Sequence, residues 1–234
     1  MRIALLEDDH DQAAILQTWL EEDGHSCKLF TSGKDLIRSL RSDSFDALIL
    51  DWLVPDMDGL AVLSWIRREN HIQIPILFVT VLTNEEEIVT ALNAGADDFM
   101  SKPVKRRELL ARLEAINRRC TPDYLRGVNF SIPPYTIQFE TSSILVNDQQ
   151  VDLTQKEFDL AVFLFRRVGQ VLSRGHILEN VWGASPKMNT RTVDTHVSRI
   201  RKKLEITESN GWSLVSIYQH GYRLEPAEEP SSKI

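Results

Sequence analysis

The sequence predicts two domains of different class. The first is an α/β doubly wound domain on a five-stranded parallel sheet; the second is an α+β domain closed by a C-terminal hairpin, or wing. Three observations carry this. Four short apolar runs in the first half, IALL, ALIL, ILFV and DFMS, alternate with stretches of helical periodicity. Near Arg118 the alternation stops in RRCTPDYLRG, which has Pro, Gly and charge but no period. Beyond it come short extended runs, three helix-like segments and finally WSLVSIYQHGYRLE, two β-like runs around a turn.

Each element has its own signal. IALL is followed by a helix from about Gln12 to Glu22, ended by Gly24, with His10 at its start and Asp9 as a first-turn acid that complements the helix dipole. Ser32 begins a short helix carrying Leu36, Ile37 and Leu40. After ALIL and Asp51, a loop with Pro55 and Gly59 leads into a helix carrying Leu60, Leu63 and Ile66. Thr83 and Glu86 have capping-box spacing, and Gly95 fits the position just past a helix end. The last helix of this half runs from about Arg106 to Arg119, with Leu109, Leu110, Leu113 and Ile116 on one side. In the second half, YTIQFE and SILVND read as strands, with a turn at Asn147-Asp148. Thr154 and Glu157 form a second capping box, opening a helix with Phe158, Ala161, Val162 and Phe165 inward. Further helices run from about Arg174 to Trp182 and from near Thr190. The boundaries expected are 1–119 for the first domain, 120–128 for a linker, 129–227 for the second domain and 228–234 for a disordered tail.

Composition excludes several classes. At 234 residues, 42% hydrophobic and 26% charged, the chain has material for two ordinary cores. No apolar run approaches the roughly 20 residues needed to span a bilayer, so no membrane partner is expected. The N-terminus enters a strand-like run with no signal-peptide pattern. Cys27 and Cys120 are too few for a disulfide framework and lack metal-ligand spacing, so a reducing cytoplasm is expected. The net charge of −7 lies entirely in residues 1–119, which hold 14 Lys and Arg against 21 Asp and Glu; residues 120–234 hold 13 of each sign. Within that neutral half, 187–203 holds six basic residues against Asp194 alone, which suggests a defined polyanion site.

The apolar runs of the first half end in chemistry-bearing residues: Glu7, Asp8 and Asp9 after IALL, Asp51 after ALIL, Thr80 after ILFV and Lys102 after DFMS. In an open parallel sheet the functional crevice lies outside the carboxyl ends of the strands, where these groups would converge. Carboxylates held close repel one another unless a cation sits between them. Asp8 and Asp51 therefore read as hard oxygen ligands for Mg²⁺. Asp51 is then a candidate nucleophile toward a phosphoryl group, with Lys102 as a point charge and Thr80 as a donor to phosphoryl oxygens.

These segments resemble a known family. ALILDWLVPDMDGL, ILFVT and GADDFMSKP match the receiver domain of bacterial response regulators, a flavodoxin-like fold, across about 119 residues. The resemblance implies Asp51 as acceptor of a phosphoryl group from a sensor histidine kinase. It implies Asp8, Asp51 and the Leu53 backbone carbonyl as Mg²⁺ ligands with Glu7 acting through water, Thr80 as the switch hydroxyl and Phe99 as the switch aromatic. Two departures are notable. Val81 stands where the family usually has a small residue, and Val104 where Phe usually follows Lys-Pro. Leu53 and Leu82, two residues after Asp51 and Thr80, are apolar, and such walls would restrict the attacking water and lengthen the life of the acyl phosphate.

From Thr190 onward Val193, Val197, Ile200 and Leu204 form one apolar stripe, opposite Arg191, Thr195, Ser198, Arg199 and Lys202, with Arg201 on a flank. A helix with a cationic face followed by a wing is suited to gripping a duplex. LTQKEFDLAVFL, LSRGHILENVWG, RTVDTHVSRIRKKLE and HGYRLE resemble the winged helix-turn-helix effector of the OmpR/PhoB family over about 129–226. That resemblance implies DNA contacts at Arg191, Arg199 and Arg201, joined by Thr195 and Lys202 on the same face, and presentation of Gly183 to Asn189 to RNA polymerase. The usual wing Arg is absent from Ile217-Tyr218-Gln219-His220, which leaves Tyr218 or Gln219 as an uncharged contact to the sugar-phosphate backbone. His196 at the edge of the stripe reads as structural.

The family dimerises on phosphorylation through its fourth helix, fifth strand and fifth helix. Asp97, Asp98, Glu108 and Arg112 are the candidates here, and Ile88 replaces the usual Lys, so Glu108 lacks its cross-dimer partner. The expectation is a phosphorylation-dependent, homodimeric transcription factor that is not a classical enzyme. A Mg²⁺-dependent phosphohydrolase and a degenerate, phosphate-independent receiver are the competing readings. The first lacks a second acid and a substrate pocket, and the full set Glu7, Asp8, Asp51, Thr80 and Lys102 opposes the second.

Overall fold

The computed structural model describes residues 1–68, 74–81, 84–120, 129–183 and 191–227. They divide into two compact units, Met1–Thr121 and Pro122–Ile234.

The first unit holds β1 (Arg2–Leu6), α1 (His10–Glu22), β2 (Ser26–Phe30), α2 (Gly33–Leu40), β3 (Ala47–Leu50), α3 (Gly59–Arg68), β4 (Ile76–Thr80), α4 (Glu85–Asn93), β5 (Asp98–Ser101) and α5 (Arg106–Cys120). Its five strands are parallel, in the order β2-β1-β3-β4-β5. Alternation along the strands divides the core between two faces. Ala4 and Leu6 of β1 face Leu36, Val62, Ile66 and Ala91 from α2, α3 and α4, whereas Ile3 and Leu5 face Leu16, Leu20, Leu109 and Leu113 from α1 and α5. The chain leaves β1 toward β2 and returns past it to β3, so the switch point, and with it the crevice, lies between the carboxyl ends of β1 and β3.

The caps refine the sequence reading. Asp9 is not a first-turn acid; it is the N-cap of α1, its carboxylate accepting from the backbone N–H of Asp11 and Gln12 at 3.0 Å. A helix that begins at His10 leaves the residue before it as the cap. The N-cap of α4 is Asn84, accepting from Glu87 N–H at 2.8 Å, in place of the expected Thr83–Glu86 box; Thr83 itself lies outside the described residues. Gly95 takes φ +104 just past α4, as a helix end in the left-handed region requires.

The second unit opens with a four-stranded antiparallel sheet of β6 (Phe130–Ile132), β7 (Tyr135–Gln138), β8 (Ser143–Val146) and β9 (Gln149–Val151). Asn147 and Asp148, at φ 49 and 64, make the two-residue turn between β8 and β9. Then come α6 (Gln155–Phe165), β10 (Leu172–Ser173), α7 (Arg174–Trp182), α8 (Arg191–Lys203), β11 (Trp212–Ile217) and β12 (Gly221–Pro226). The last two strands form the wing hairpin, and β10 adds to it in the order β10-β12-β11. Both capping-box bonds of Thr154 and Glu157 are present at the start of α6. Glu157 is buried, yet Lys203 at 2.8 Å and the Thr154 N–H at 2.9 Å outweigh its burial and hold its carboxyl below the usual range. The helix after 119 continues to Cys120, one residue into the expected linker; 121–128 and the tail 228–234 lie outside the described residues.

Candidate functional sites

Backbone bonds at the strand ends place the acidic crevice. The Asp51 N–H donates to Leu6 O at 2.9 Å, fixing the end of β3 beside β1, and the Lys102 N–H donates to Thr80 O at 2.8 Å, fixing the end of β5 beside β4. Ligand oxygens of Glu7, Asp8 and Asp51 all lie within 4.8 Å of one another. The Lys102 ammonium donates to Asp51 at 2.7 Å and to both Glu7 oxygens at 2.9 and 3.1 Å. Glu7, Asp51 and Thr80 are buried; Asp8 is half-buried, at the mouth. Burial pushes the Glu7 carboxyl up, against the pull of Lys102. Burial also opposes charge on Lys102, but its bonds to Asp51 and Glu7 prevail and raise its pKa. Three carboxylates against one ammonium leave excess negative charge on hard oxygens, a donor set that fits a divalent cation.

The loop from Asp51 to Gly59 is held from two sides. Leu53 N–H donates to Asp51 Oδ1 at 3.2 Å. A Cβ on Gly59 would collide with the Asp51 carbonyl and press on the Phe78 ring, so this position needs glycine. Asp58 caps α3 through the Ala61 N–H at 2.6 Å. Sequence reading missed Asp56. Its carboxylate accepts from Ser32 Oγ, Gly33 N–H and Lys34 N–H at 2.9 to 3.1 Å, tying this loop to the start of α2. Those bonds outweigh its desolvation and lower its pKa. No spacing rule reveals a cap that arrives from a residue some twenty positions downstream.

Phe99 is half-buried on β5, paired in register with Phe78, two positions before the Thr80 row. Leu53 and Val81 are 50% and 57% exposed, so apolar side chains do stand at these two positions without joining a core; Leu82 lies outside the described residues. Val104 packs against the α1–α5 side of the core.

The expected dimer residues separate. Asp98, Glu108 and Arg112 form one half-buried cluster, with Arg112 donating to Asp98 at 2.9 Å and to Glu108 at 2.9 Å. Asp97 does not belong with them. It accepts from Arg67 at 2.9 Å and from the Ile76 N–H at 2.7 Å, joining α3 to the edge of β4. Ile88 is half-buried on α4, with Val89 and Leu92 exposed beside it.

On α8, Val193, Val197 and Ile200 are buried, while Arg191, Thr195, Arg199 and Lys202 are exposed on the outer face. Arg201, on the flank, is half-buried and donates to Leu214 O at 2.6 Å, a bond that attaches α8 to the wing strand β11. His196 bonds the Thr192 carbonyl at 2.8 Å and stacks edge-on with Trp182, a structural role. Tyr218 is 85% exposed at the tip of the wing, next to Gln219 at φ 59. Of the segment from Gly183 to Asn189, Gly183 alone lies within the described residues.

The response regulator receiver domain family matches residues 3–114, and the family of C-terminal domains of transcriptional regulatory proteins matches residues 148–224. The sensory transduction protein RegX3 of Mycobacterium tuberculosis is 34% identical over 226 residues, covering 95% of this chain and 98% of its own. The chain is a response regulator of the OmpR/PhoB family. RegX3 of Mycolicibacterium smegmatis is 32% identical over the same shares of both chains, and the response regulator SaeR of Staphylococcus aureus 31% identical over 95% of this chain and 97% of its own. As a member of the family, this response regulator is a DNA-binding transcription regulator of a two-component system, with a kinase and DNA as its partners. Among the described residues no helix is long and apolar enough to cross a membrane.

Proposed function

We propose that Asp51 accepts a phosphoryl group from a sensor histidine kinase and that the modified protein dimerises and binds promoter DNA. The observation that carries this is Lys102 lying between Glu7 and Asp51, with Asp8 in the same cluster. An Asp51 carboxylate oxygen attacks the phosphorus of the kinase phosphohistidine. A P–O bond forms, the P–N bond breaks, and its electron pair leaves on the imidazole nitrogen. Asp8, Asp51 and the Leu53 carbonyl would hold Mg²⁺, with Glu7 acting through water, and the ion supplies charge neutralisation to the phosphoryl oxygens. Lys102 provides the second cation and Thr80 a hydroxyl donor, with Phe99 as the aromatic that responds. The protein takes up one phosphoryl group and releases it slowly, without acting as a classical enzyme.

The response passes through α4, β5 and α5 to a homodimer. Arg191, Thr195, Arg199 and Lys202 of α8, with Tyr218 of the wing, contact the duplex, and Gly183 to Asn189 faces RNA polymerase. The exposed basic face of α8 supports this, as does the wing beside it. The setting is the cytoplasm. Incubation with radiolabelled acetyl phosphate tests the first step. Label should enter the parent in Mg²⁺ and fail to enter it in EDTA or in Asp51→Asn; equal labelling of Asp51→Asn refutes the assignment.

A further inference from the structure

The outer face of α8 is basic except in its first turn, where Asp194 stands as the single acid of 187–203. An unscreened carboxylate there would repel the polyanion the helix is meant to meet. This carboxylate is engaged. Its Oδ1 accepts from Arg174 Nε at 2.8 Å and from the Tyr222 hydroxyl at 2.6 Å. The Arg174 guanidinium also lies over the Tyr222 ring, 4.9 Å from its centroid. Three elements thus meet at one oxygen: the first residue of α7, the first turn of α8 and the wing strand β12.

The Tyr222 end of this contact is rigid. The ring is buried, and the neighbouring Gly221 packs so closely on the backbone of Leu172 and Ser173 that no Cβ fits. Pairing of β12 with β10 therefore carries the hydroxyl to a fixed point. At the other end of α8, Arg201 is tied to β11 through Leu214 O. The helix is consequently held to the wing hairpin near both of its ends, by a side-chain contact at each.

We propose that Arg174, Asp194 and Tyr222 form a positioning latch that sets the angle of α8 against the wing and screens the Asp194 charge, so that three residues making no base contact govern specificity for DNA sequence. This rests on the reading of α8 as the helix that contacts DNA. Base contacts through Arg191, Thr195 and Arg199 require hydrogen-bond geometry, which a small rotation of the helix spoils. Attraction to phosphates is long-ranged and tolerates the same rotation. Loss of the latch should therefore lower specific affinity and spare non-specific affinity. In Asp194→Asn the Arg174 cation also loses its counter-charge, so non-specific binding should rise.

The test uses the full-length chain and two probes: a duplex selected from random-sequence DNA by the parent protein, and poly(dI-dC). Tyr222→Phe keeps the ring and removes one hydroxyl. It should retain the melting temperature within a few degrees, lose about fivefold to tenfold in affinity for the selected duplex, and bind poly(dI-dC) as the parent does. Asp194→Asn should also bind the selected duplex more weakly, and poly(dI-dC) more tightly. Asp194→Glu, which restores the charge, should recover part of the discrimination. Arg199→Ala is the control for the underlying reading. If Arg199→Ala weakens binding while Tyr222→Phe and Asp194→Asn bind both probes like the parent, the latch is wrong and the helix assignment stands. If Arg199→Ala also binds like the parent, the helix assignment fails and takes the latch with it. Equal loss on both probes together with a lower melting temperature makes the cluster merely structural and overturns the proposal.

Discussion

Lys102 Nζ lies 2.7 Å from Asp51 Oδ2, and the same ammonium reaches Glu7 at 2.9 Å. Both carboxylates are buried, so each depends on that one cation or on a metal for its charge. Lys102→Met should therefore lower stability in EDTA by about 3 kcal/mol, and Mg²⁺ should recover most of the loss. Denaturant titrations with and without Mg²⁺ measure this. A loss of the same size in both conditions would show that the carboxylates are not metal ligands.

Leu53, two residues after Asp51, presents an apolar, half-exposed side chain. A polar residue at this position would hold an attacking water, which a leucine side chain has no group to do. The acyl phosphate should last minutes or longer, and Leu53→Asn should shorten it. Phosphate release from purified phosphoprotein gives the rate, and loss within seconds in the parent would sink the idea.

Tyr218 stands at the wing tip, where the family usually carries Arg. Its contact with DNA should be uncharged. Tyr218→Ala should weaken binding with an unchanged salt slope, whereas Lys202→Ala, which removes an exposed cation of α8, should lower the slope by about 1. A slope decrease of about 1 in Tyr218→Ala contradicts the uncharged contact.

On α4, Ile88 stands where the family usually has Lys, with Val89 and Leu92 exposed beside it, while Arg112 is already engaged by Asp98 and Glu108 in its own chain. Dimerisation should then rest on apolar burial more than on ion pairs, and persist in raised salt. Leu92→Glu should keep the beryllofluoride-treated protein monomeric in sedimentation. A parent that is monomeric with beryllofluoride refutes the dimer.

The crevice was legible because its groups sit at the ends of apolar runs, and a parallel sheet carries such ends to one edge. The α8 stripe was legible for the same kind of reason: Val193, Val197 and Ile200 repeat with the helix. What stayed hidden depends on contacts between distant positions. Asp56 capping α2, Asp97 held by Arg67, Arg201 bonded to Leu214 O and Asp194 shared by Arg174 and Tyr222 have no local signature. The strands Phe130–Ile132, Gln149–Val151 and Leu172–Ser173 were unread because two or three residues are too few to display a period of two.

The central claim is that chemistry at Asp51 governs DNA binding through the second unit. Affinity of the full-length parent and of Asp51→Asn for the selected duplex, each with and without beryllofluoride, tests it most directly. The parent should gain about tenfold on treatment and Asp51→Asn should gain nothing. Equal affinity of the parent in both states, or an equal gain in Asp51→Asn, would contradict the account.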